Sequence, residues 1–141
     1  MTNNEYINAY KKTQQSSNTV TSSHEIVRTL MKELVNSMHK IVLDIQDERA
    51  TKADKFIIDK TQDENYAKKK SKNLSKSLSI IYGLQTSLDF DKALEIANNL
   101  FQLYEYCRQE IIKGFSQKIE EGIIKANDRI KQIREEWEER P

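Results

Sequence analysis

The chain has 141 residues, a length that predicts one domain with a modest hydrophobic core. It contains only three glycines and one proline, the last residue, and this scarcity of turn residues argues against an all-β fold and favours helix nearly throughout. A formal net charge of +1 excludes a strong long-range attraction to nucleic acid or anionic lipid.

Residues 1–22 are polar and rich in Asn, Gln, Ser and Thr, with apolar landmarks at Tyr6-Ile7 and Ala9-Tyr10. No basic stretch followed by an apolar one is present here, so we expect no signal peptide. A polar segment with a local apolar cluster predicts a loosely packed lid over a groove. The alternative is that Ile7 and Tyr10 complete the core, and in both cases these side chains pack against the rest of the protein.

Helix one is predicted over residues 24–47, after Ser22 or Ser23, either of which can cap it through its hydroxyl group. Its apolar residues recur at alternating steps of four and three, the spacing of a heptad seam that faces a packing partner. The seam consists of Val27, Met31, Leu34, Met38, Ile41 and Ile45. Three further apolar residues widen this stripe, which favours a bundle over a two-helix coiled coil. They are Leu30, Val35 and Val42.

Residues 46–73 are largely polar and predict either an insertion or an extension of the neighbouring helices. Within them, the lysine-rich run at residues 68–72 has two interpretations, a nucleic-acid patch or a solvated helix start. The second is favoured, because Asp63 and Glu64 lie just upstream and no paired aromatic residues offer stacking to bases. We therefore expect no nucleic-acid partner.

Helix two is predicted over residues 66–88 on the same spacing, although Gln85 interrupts its seam. The segment from Asp89 to Asp91 is expected to end this helix and to cap the next one. The apolar seam residues of helix two are Leu74, Leu78, Ile81 and Leu88.

Helix three is predicted over residues 91–114 and helix four over residues 117–139, and Gly114 suits the turn that ends helix three. The seam of helix three consists of Ala93, Ala97, Leu100, Tyr104, Cys107 and Ile111. The seam of helix four consists of Ile119, Ile123, Ala126, Ile130, Ile133 and Trp137. Cys107 is the only cysteine, which excludes an internal disulfide, and its place in the seam predicts a buried, reduced thiol.

Four helices of similar length with short links predict an all-α fold. We expect an antiparallel four-helix bundle over residues 23–141, with a loosely packed N-terminal lid segment over residues 1–22. Residues 46–73 would be the insertion or helix extension within that bundle. No apolar run reaches the roughly 20 residues that a membrane helix needs. We therefore expect a cytoplasmic protein without membrane insertion.

The residue patterns of common catalytic and metal sites are missing from the sequence. His24 and His39 have no glutamate three residues earlier, so the Glu-x-x-His pairs of a di-iron bundle are absent. Arg28 stands where a zinc-protease helix needs its second histidine. There is no glycine-rich phosphate loop, and one cysteine with two histidines is a poor zinc complement. We therefore expect a protein that is not an enzyme and needs no cofactor or metal.

Several apolar residues lie outside the strict seams of helices two to four. They are Ile80, Leu84, Ile96, Phe101, Leu103, Ile112, Phe115 and Ile124. One interpretation is that they widen the core, because bundle helices bury more than two positions per heptad. The other is that they leave helices two and three apolar on more than one face, which can form a groove for an amphipathic partner helix.

Two segments resemble the FliS family, the chaperones that hold flagellin before export. The family's Ile-Ile-x-x-Leu-x-x-Ser-Leu-Asp is similar to Ile80-Ile81-Tyr82-Gly83-Leu84-Gln85-Thr86-Ser87-Leu88-Asp89. Its most specific signature resembles Glu95-Ile96-Ala97, Asn99-Leu100 and Leu103-Tyr104-Glu105-Tyr106. Ala9-Tyr10 and Trp137 add matches near the two ends. The chain departs from the family pattern at Ala93-Leu94, where Gly-Gly is usual, and in an insertion within residues 46–65.

The resemblance implies an export chaperone that binds the disordered C-terminal segment of flagellin. It implies that the chaperone prevents premature polymerisation and delivers flagellin to the gate of the flagellar type III export apparatus. It also implies that the N-terminal segment occupies part of the groove when the chaperone is free. With the surplus apolar residues, it predicts these partner-binding residues: Ile7, Tyr10, Ile80, Leu84, Ile96, Leu103 and Tyr106. Whether flagellar regulatory proteins also bind is left open.

The alternative is a structural or assembly bundle that oligomerises through its heptad faces. A weaker third interpretation is a helical enzyme or a nucleic-acid adaptor. A chaperone would form a 1:1 complex with a flagellin tail peptide, whereas an oligomeriser would gain mass with concentration and no partner. A nucleic-acid binder would lose affinity steeply with salt.

Overall fold

The structure is a computed structural model that describes residues 23–53 and 64–139. In these ranges the chain forms four helices and no strand: α1 is Ser23–Ala53, α2 is Glu64–Thr86, α3 is Leu94–Gln117 and α4 is Glu121–Glu139. The predicted all-α fold is confirmed. None of the helices so described has the length and apolar character needed to cross a bilayer.

The helices form a closed ring in which α1 and α3 each pack against both α2 and α4, with little contact across the diagonal between α1 and α3. Ion pairs give the direction of α1 and α2. Lys76 pairs with Glu33, whereas Lys70, earlier in α2, pairs with Glu48, later in α1. The two helices are therefore antiparallel.

Most of the predicted seam residues form the core. Met31, Leu34, Met38, Ile81 and Ile111 are each fully buried. The buried seam residues of α1 and α4 belong to one core cluster. Leu74, Leu100 and Ile133 are partly buried and pack against this cluster. The heptad spacing thus identifies many of the buried positions in each helix. The side chain of Trp137 lies outside the described part.

Two predicted seam positions are exposed, because they lie beyond the ends of the helices that the structure forms. Ala93 is the residue before α3, and Ile119 lies in the link between α3 and α4 with 52% of its surface exposed. The heptad spacing predicted helix at both positions. The backbone is not helical at these two positions, so these side chains are not turned inward.

The polar span between the first two seams is largely helical. α1 continues past residue 47 to Ala53, and α2 begins at Glu64. Two cross-helix hydrogen bonds join the second half of α1 to the first half of α2: Tyr66 Oη donates to Asp47 at 3.0 Å and Asn73 Nδ2 donates to Asp44 at 2.8 Å. Residues 46–53 and 64–73 are helical, and residues 54–63 lie outside the described ranges.

The two other links differ from the prediction in their capping. Asp89 Oδ1 accepts the backbone N–H groups of Asp91 and Lys92, both at 3.1 Å, so it caps a turn before α3. Ala93 precedes α3 without a side-chain cap, and the helix begins at Leu94.

The end of α3 also differs, because Gly114 does not form the terminal turn. The helix continues to Gln117, and Lys118 takes the left-handed conformation with φ of 61°. The backbone N–H groups of Lys118 and Ile119 both point to the Gly114 carbonyl, which closes the end of the helix.

Candidate partner-binding groove between helices α2 and α3

The partner-binding residues predicted in α2 lie in the core. Ile80 is 4% exposed and Leu84 is 1% exposed. α2 is packed against α1 on one side and α3 on the other, so more than two positions per heptad are covered. These two side chains are therefore part of the core and not of the exposed surface of α2.

The partner-binding residues predicted in α3 share one face of that helix, at steps of seven and three. Ile96 is 55% exposed, whereas Leu103 and Tyr106 are half-buried against the core. Tyr106 borders a depression of about 380 Å³ between α3 and α4, and most of the other residues around it are polar or charged. Ile7 and Tyr10 lie outside the described residues.

A second face of α3, turned toward α2, carries the larger exposed apolar row. Leu94 is 60% exposed and Ile112 is 42% exposed, and Phe101 lies between them on the same face. Opposite this row, Tyr82 of α2 is 48% exposed. Phe90 packs edge-on against Phe101 with ring centroids 6.3 Å apart, which extends the row into the α2–α3 link.

Between these helices runs a mainly apolar groove of about 450 Å³, which we call the α2–α3 groove. It is lined by Tyr82, Gln85, Thr86, Phe101, Glu105 and Arg108. The surplus apolar residues in the sequence included Phe101 and Ile112, but no sequence feature favoured them over Ile80 or Leu84. The interruption of the seam at Gln85 was the available signal, since that residue is buried where the groove lies.

A polar group forms one side of the groove. Gln85 Nε2 donates to Glu105 Oε1 at 3.0 Å and lies 3.5 Å from the Phe101 carbonyl. Arg108 donates to both oxygens of Glu105, from Nε and Nη2, each at 3.0 Å. The hydrogen bonds from Arg108 and then from Gln85 hold the pKa of Glu105 below its usual range, so it is a carboxylate at neutral pH.

A buried ion cluster lies at the opposite end of the bundle. Glu48 Oε2 accepts hydrogen bonds from Lys70 at 3.0 Å and pairs with Lys118 at 3.3 Å. The Lys70 ammonium also lies 4.6 Å from the centroid of the Tyr66 ring. One lysine of the basic run at residues 68–72 is therefore held inside the fold, while Lys68, Lys69 and Lys72 are exposed.

Cys107 is fully buried, and its Sγ lies 3.8 Å from the Ala126 carbonyl. The predicted burial of this thiol is confirmed, and burial raises its pKa to about 12. Across the described ranges, no cluster of three or more His, Cys, Asp or Glu side chains is placed to hold a metal ion.

An antiparallel helical bundle with a mainly apolar groove between two of its helices belongs to a class of folds whose surface can receive an amphipathic segment. The family model described as flagellar protein FliS matches residues 6–140, nearly the whole chain. The chain therefore belongs to the FliS family of flagellar export chaperones. The comparisons with curated proteins and with solved structures gave no match.

Proposed function

We propose that this FliS-family chaperone binds the C-terminal segment of flagellin in the α2–α3 groove. By covering that segment in the cytoplasm it prevents premature polymerisation, and it then delivers flagellin to the gate of the flagellar type III export apparatus. The observation that carries the proposal is the apolar row along one face of α3, with Leu94 and Ile112 exposed, Phe101 half-buried between them and the exposed Tyr82 opposite.

The length of this row suits a helical guest. From Leu94 to Ile112 the row follows α3 for about 27 Å at the standard helical rise, the length of roughly five helical turns. Ordering a disordered guest costs roughly 1–2 kcal/mol per residue, so affinity must come from a large buried apolar area. An apolar row of that length provides such an area, whereas an isolated pocket does not.

The residues predicted from the sequence keep distinct roles in the proposal. Ile96, Leu103 and Tyr106 form a second contact face for guest residues that extend beyond the groove. The buried Ile80 and Leu84 support the α2 wall. Ile7 and Tyr10 belong to the lid segment that the guest displaces, so deletion of residues 1–15 is expected to strengthen binding in the titration described next.

Two isoleucines on different sides of the bundle give a matched test. Ile112, beside the groove, is 42% exposed, and Ile124, on α4 away from the groove, is 39% exposed. We expect Ile112→Glu to weaken binding of a synthetic flagellin C-terminal peptide by at least about tenfold, because the guest would bury the new carboxylate against apolar surface. Ile124→Glu should change the affinity less than about twofold. Isothermal titration calorimetry measures both, with circular dichroism to verify folding.

Equal affinities for the two variants would place the guest elsewhere on the bundle. Absence of binding by the unmodified protein would contradict the proposal itself. Light scattering across a concentration series distinguishes a chaperone from the alternative, an assembly bundle. An assembly bundle would increase in mass with concentration without the peptide, whereas a chaperone would form a 1:1 complex with it.

A further inference from the structure

We propose that Arg108 binds the backbone carbonyl oxygens at the C-terminal end of a guest helix and thereby fixes where that helix ends in the α2–α3 groove. This inference rests on the proposed function, since it assumes that the groove receives a helical segment. It adds a polar determinant of register and direction to a surface that is otherwise mainly apolar.

Arg108 is held in a fixed orientation before any guest arrives. Its Nε and Nη2 atoms each donate to one oxygen of Glu105 at 3.0 Å, which is a two-point contact along one edge of the planar guanidinium. Glu105 is anchored in turn by Gln85 of α2, whose own side chain is buried. The position of the guanidinium is therefore tied to both walls of the groove.

The other edge of the guanidinium is available to a guest. Arginine carries five N–H donors, and the contacts with Glu105 use two of them. Within residues 23–53 and 64–139, Arg108 makes no further hydrogen bond, and its side chain is 43% exposed where it lines the groove. Its remaining donors are thus placed where a bound segment would pass.

The charge of the pair favours carbonyl oxygens over a guest carboxylate. Glu105 already neutralises Arg108, so a carboxylate arriving at the same guanidinium would be repelled by Glu105. The last carbonyls of a helix carry partial negative charge and have no partner within their own helix. They can accept the free donors of Arg108 without adding a net charge to the groove.

Substitutions at Arg108 test the contact with a synthetic flagellin C-terminal peptide, measured by fluorescence anisotropy. Arg108→Ala is expected to weaken binding about tenfold, as expected for loss of hydrogen bonds from a charged donor. Arg108→Lys should recover little of this loss, because an ammonium cannot reproduce the two-edged planar contact. Arg129→Ala, on the exposed surface of α4, is the matched control and should bind as the unmodified protein does.

Glu105→Gln separates the two possible guest groups by the sign of its effect. If Arg108 binds carbonyl oxygens of the guest, this variant lowers the affinity for the peptide, because Arg108 loses its orienting partner. If Arg108 binds a guest carboxylate instead, the variant raises the affinity for the peptide, because the repulsion between Glu105 and that carboxylate is removed. A peptide with Asn and Gln in place of its Asp and Glu residues should bind Arg108 equally well.

Unchanged affinity in Arg108→Ala, full recovery by Arg108→Lys, or tighter binding in Glu105→Gln would each overturn the inference. The proposed function has its own independent control. If the unmodified protein binds the peptide and Ile112→Glu abolishes binding, the groove is the binding site whatever the result at Arg108. If the unmodified protein does not bind at all, the proposed function fails first.

Discussion

Gly114 is the residue where the sequence pattern and the fold differ most clearly. It lies inside α3 and is buried, and a Cβ atom built there would approach the Ile119 carbonyl oxygen and Ile123 Cδ1 at 2.6 Å. The Ile119 oxygen belongs to the backbone of the α3–α4 link and cannot move aside alone. The absence of a side chain at Gly114 is therefore what allows that link to fold tightly over the end of α3.

We predict that Gly114→Ala lowers the free energy of unfolding by about 2 kcal/mol, because a Cβ pressed against a backbone oxygen brings the upper end of the overpacking cost. Overpacking costs about 1–3 kcal/mol, and the better helix propensity of alanine offsets about 1 kcal/mol of this. Gly122→Ala is the matched control, since its Cβ would meet only the flexible end of the Glu110 side chain. It should be neutral or slightly stabilising. Urea unfolding of both variants measures the difference, and equal stabilities would contradict this account of Gly114.

At the scale of single residues, heptad spacing predicted burial better than it predicted the surface. A core residue such as Met38 or Ile130 is set by the period of its own helix. Whether Ile80 or Ile112 is exposed depends on which neighbouring helix covers that face, and one helix's sequence does not contain this information. Of the seven predicted partner-binding residues, Ile80 and Leu84 are therefore core residues.

At the scale of elements, the Glu48 cluster joins α1, α2 and the α3–α4 link. Burial alone would raise the pKa of Glu48, but hydrogen bonds from Lys70 and Lys118 outweigh it and hold the pKa below its ordinary value of 4.5. A carboxyl group whose pKa is lowered by folding stabilises the folded state above its unfolded pKa. That stabilisation is lost as the pH falls through the folded value.

We predict that Glu48→Gln costs about 2 kcal/mol of stability at pH 7, because two lysines lose a shared partner that is only 8% exposed. The difference from the unmodified protein should shrink as the pH falls below about 4.5. Glu33→Gln is the control, because its ion pair with Lys76 is exposed and should contribute less than about 1 kcal/mol. Urea unfolding from pH 3.5 to pH 7 measures both. A pH-independent difference would contradict the electrostatic role of Glu48.

The four helices were predictable as elements, but several of their ends were not. Few helix breakers and a repeated seam are enough to place each helix. The ends depend on tertiary partners: α1 extends to Ala53 where its last turns meet α2, and α3 begins only at Leu94, after the turn capped by Asp89. Lys118 ends α3 in a left-handed conformation that the sequence pattern would have assigned to glycine.

At the scale of the whole molecule, the bundle buries a continuous core and still leaves apolar side chains exposed. The exposed ones include Leu94 and Ile112, on the same α3 face as the groove residue Phe101, together with Leu43 and Ile124 elsewhere. Single exposed apolar residues are common on protein surfaces, but a row that borders a groove marks an interaction site. We propose that a flagellin segment covers this row.

Methyl NMR spectroscopy tests that claim most directly, because Ile112 and Ile124 have similar exposure and separate positions. The protein would be labelled at its isoleucine methyl groups and titrated with a synthetic flagellin C-terminal peptide. We predict that the Ile112 methyl signal shifts as the peptide saturates, while the Ile124 signal stays at its original position. A shift at Ile124 with no change at Ile112, under conditions where calorimetry records binding, would contradict the assignment of the α2–α3 groove.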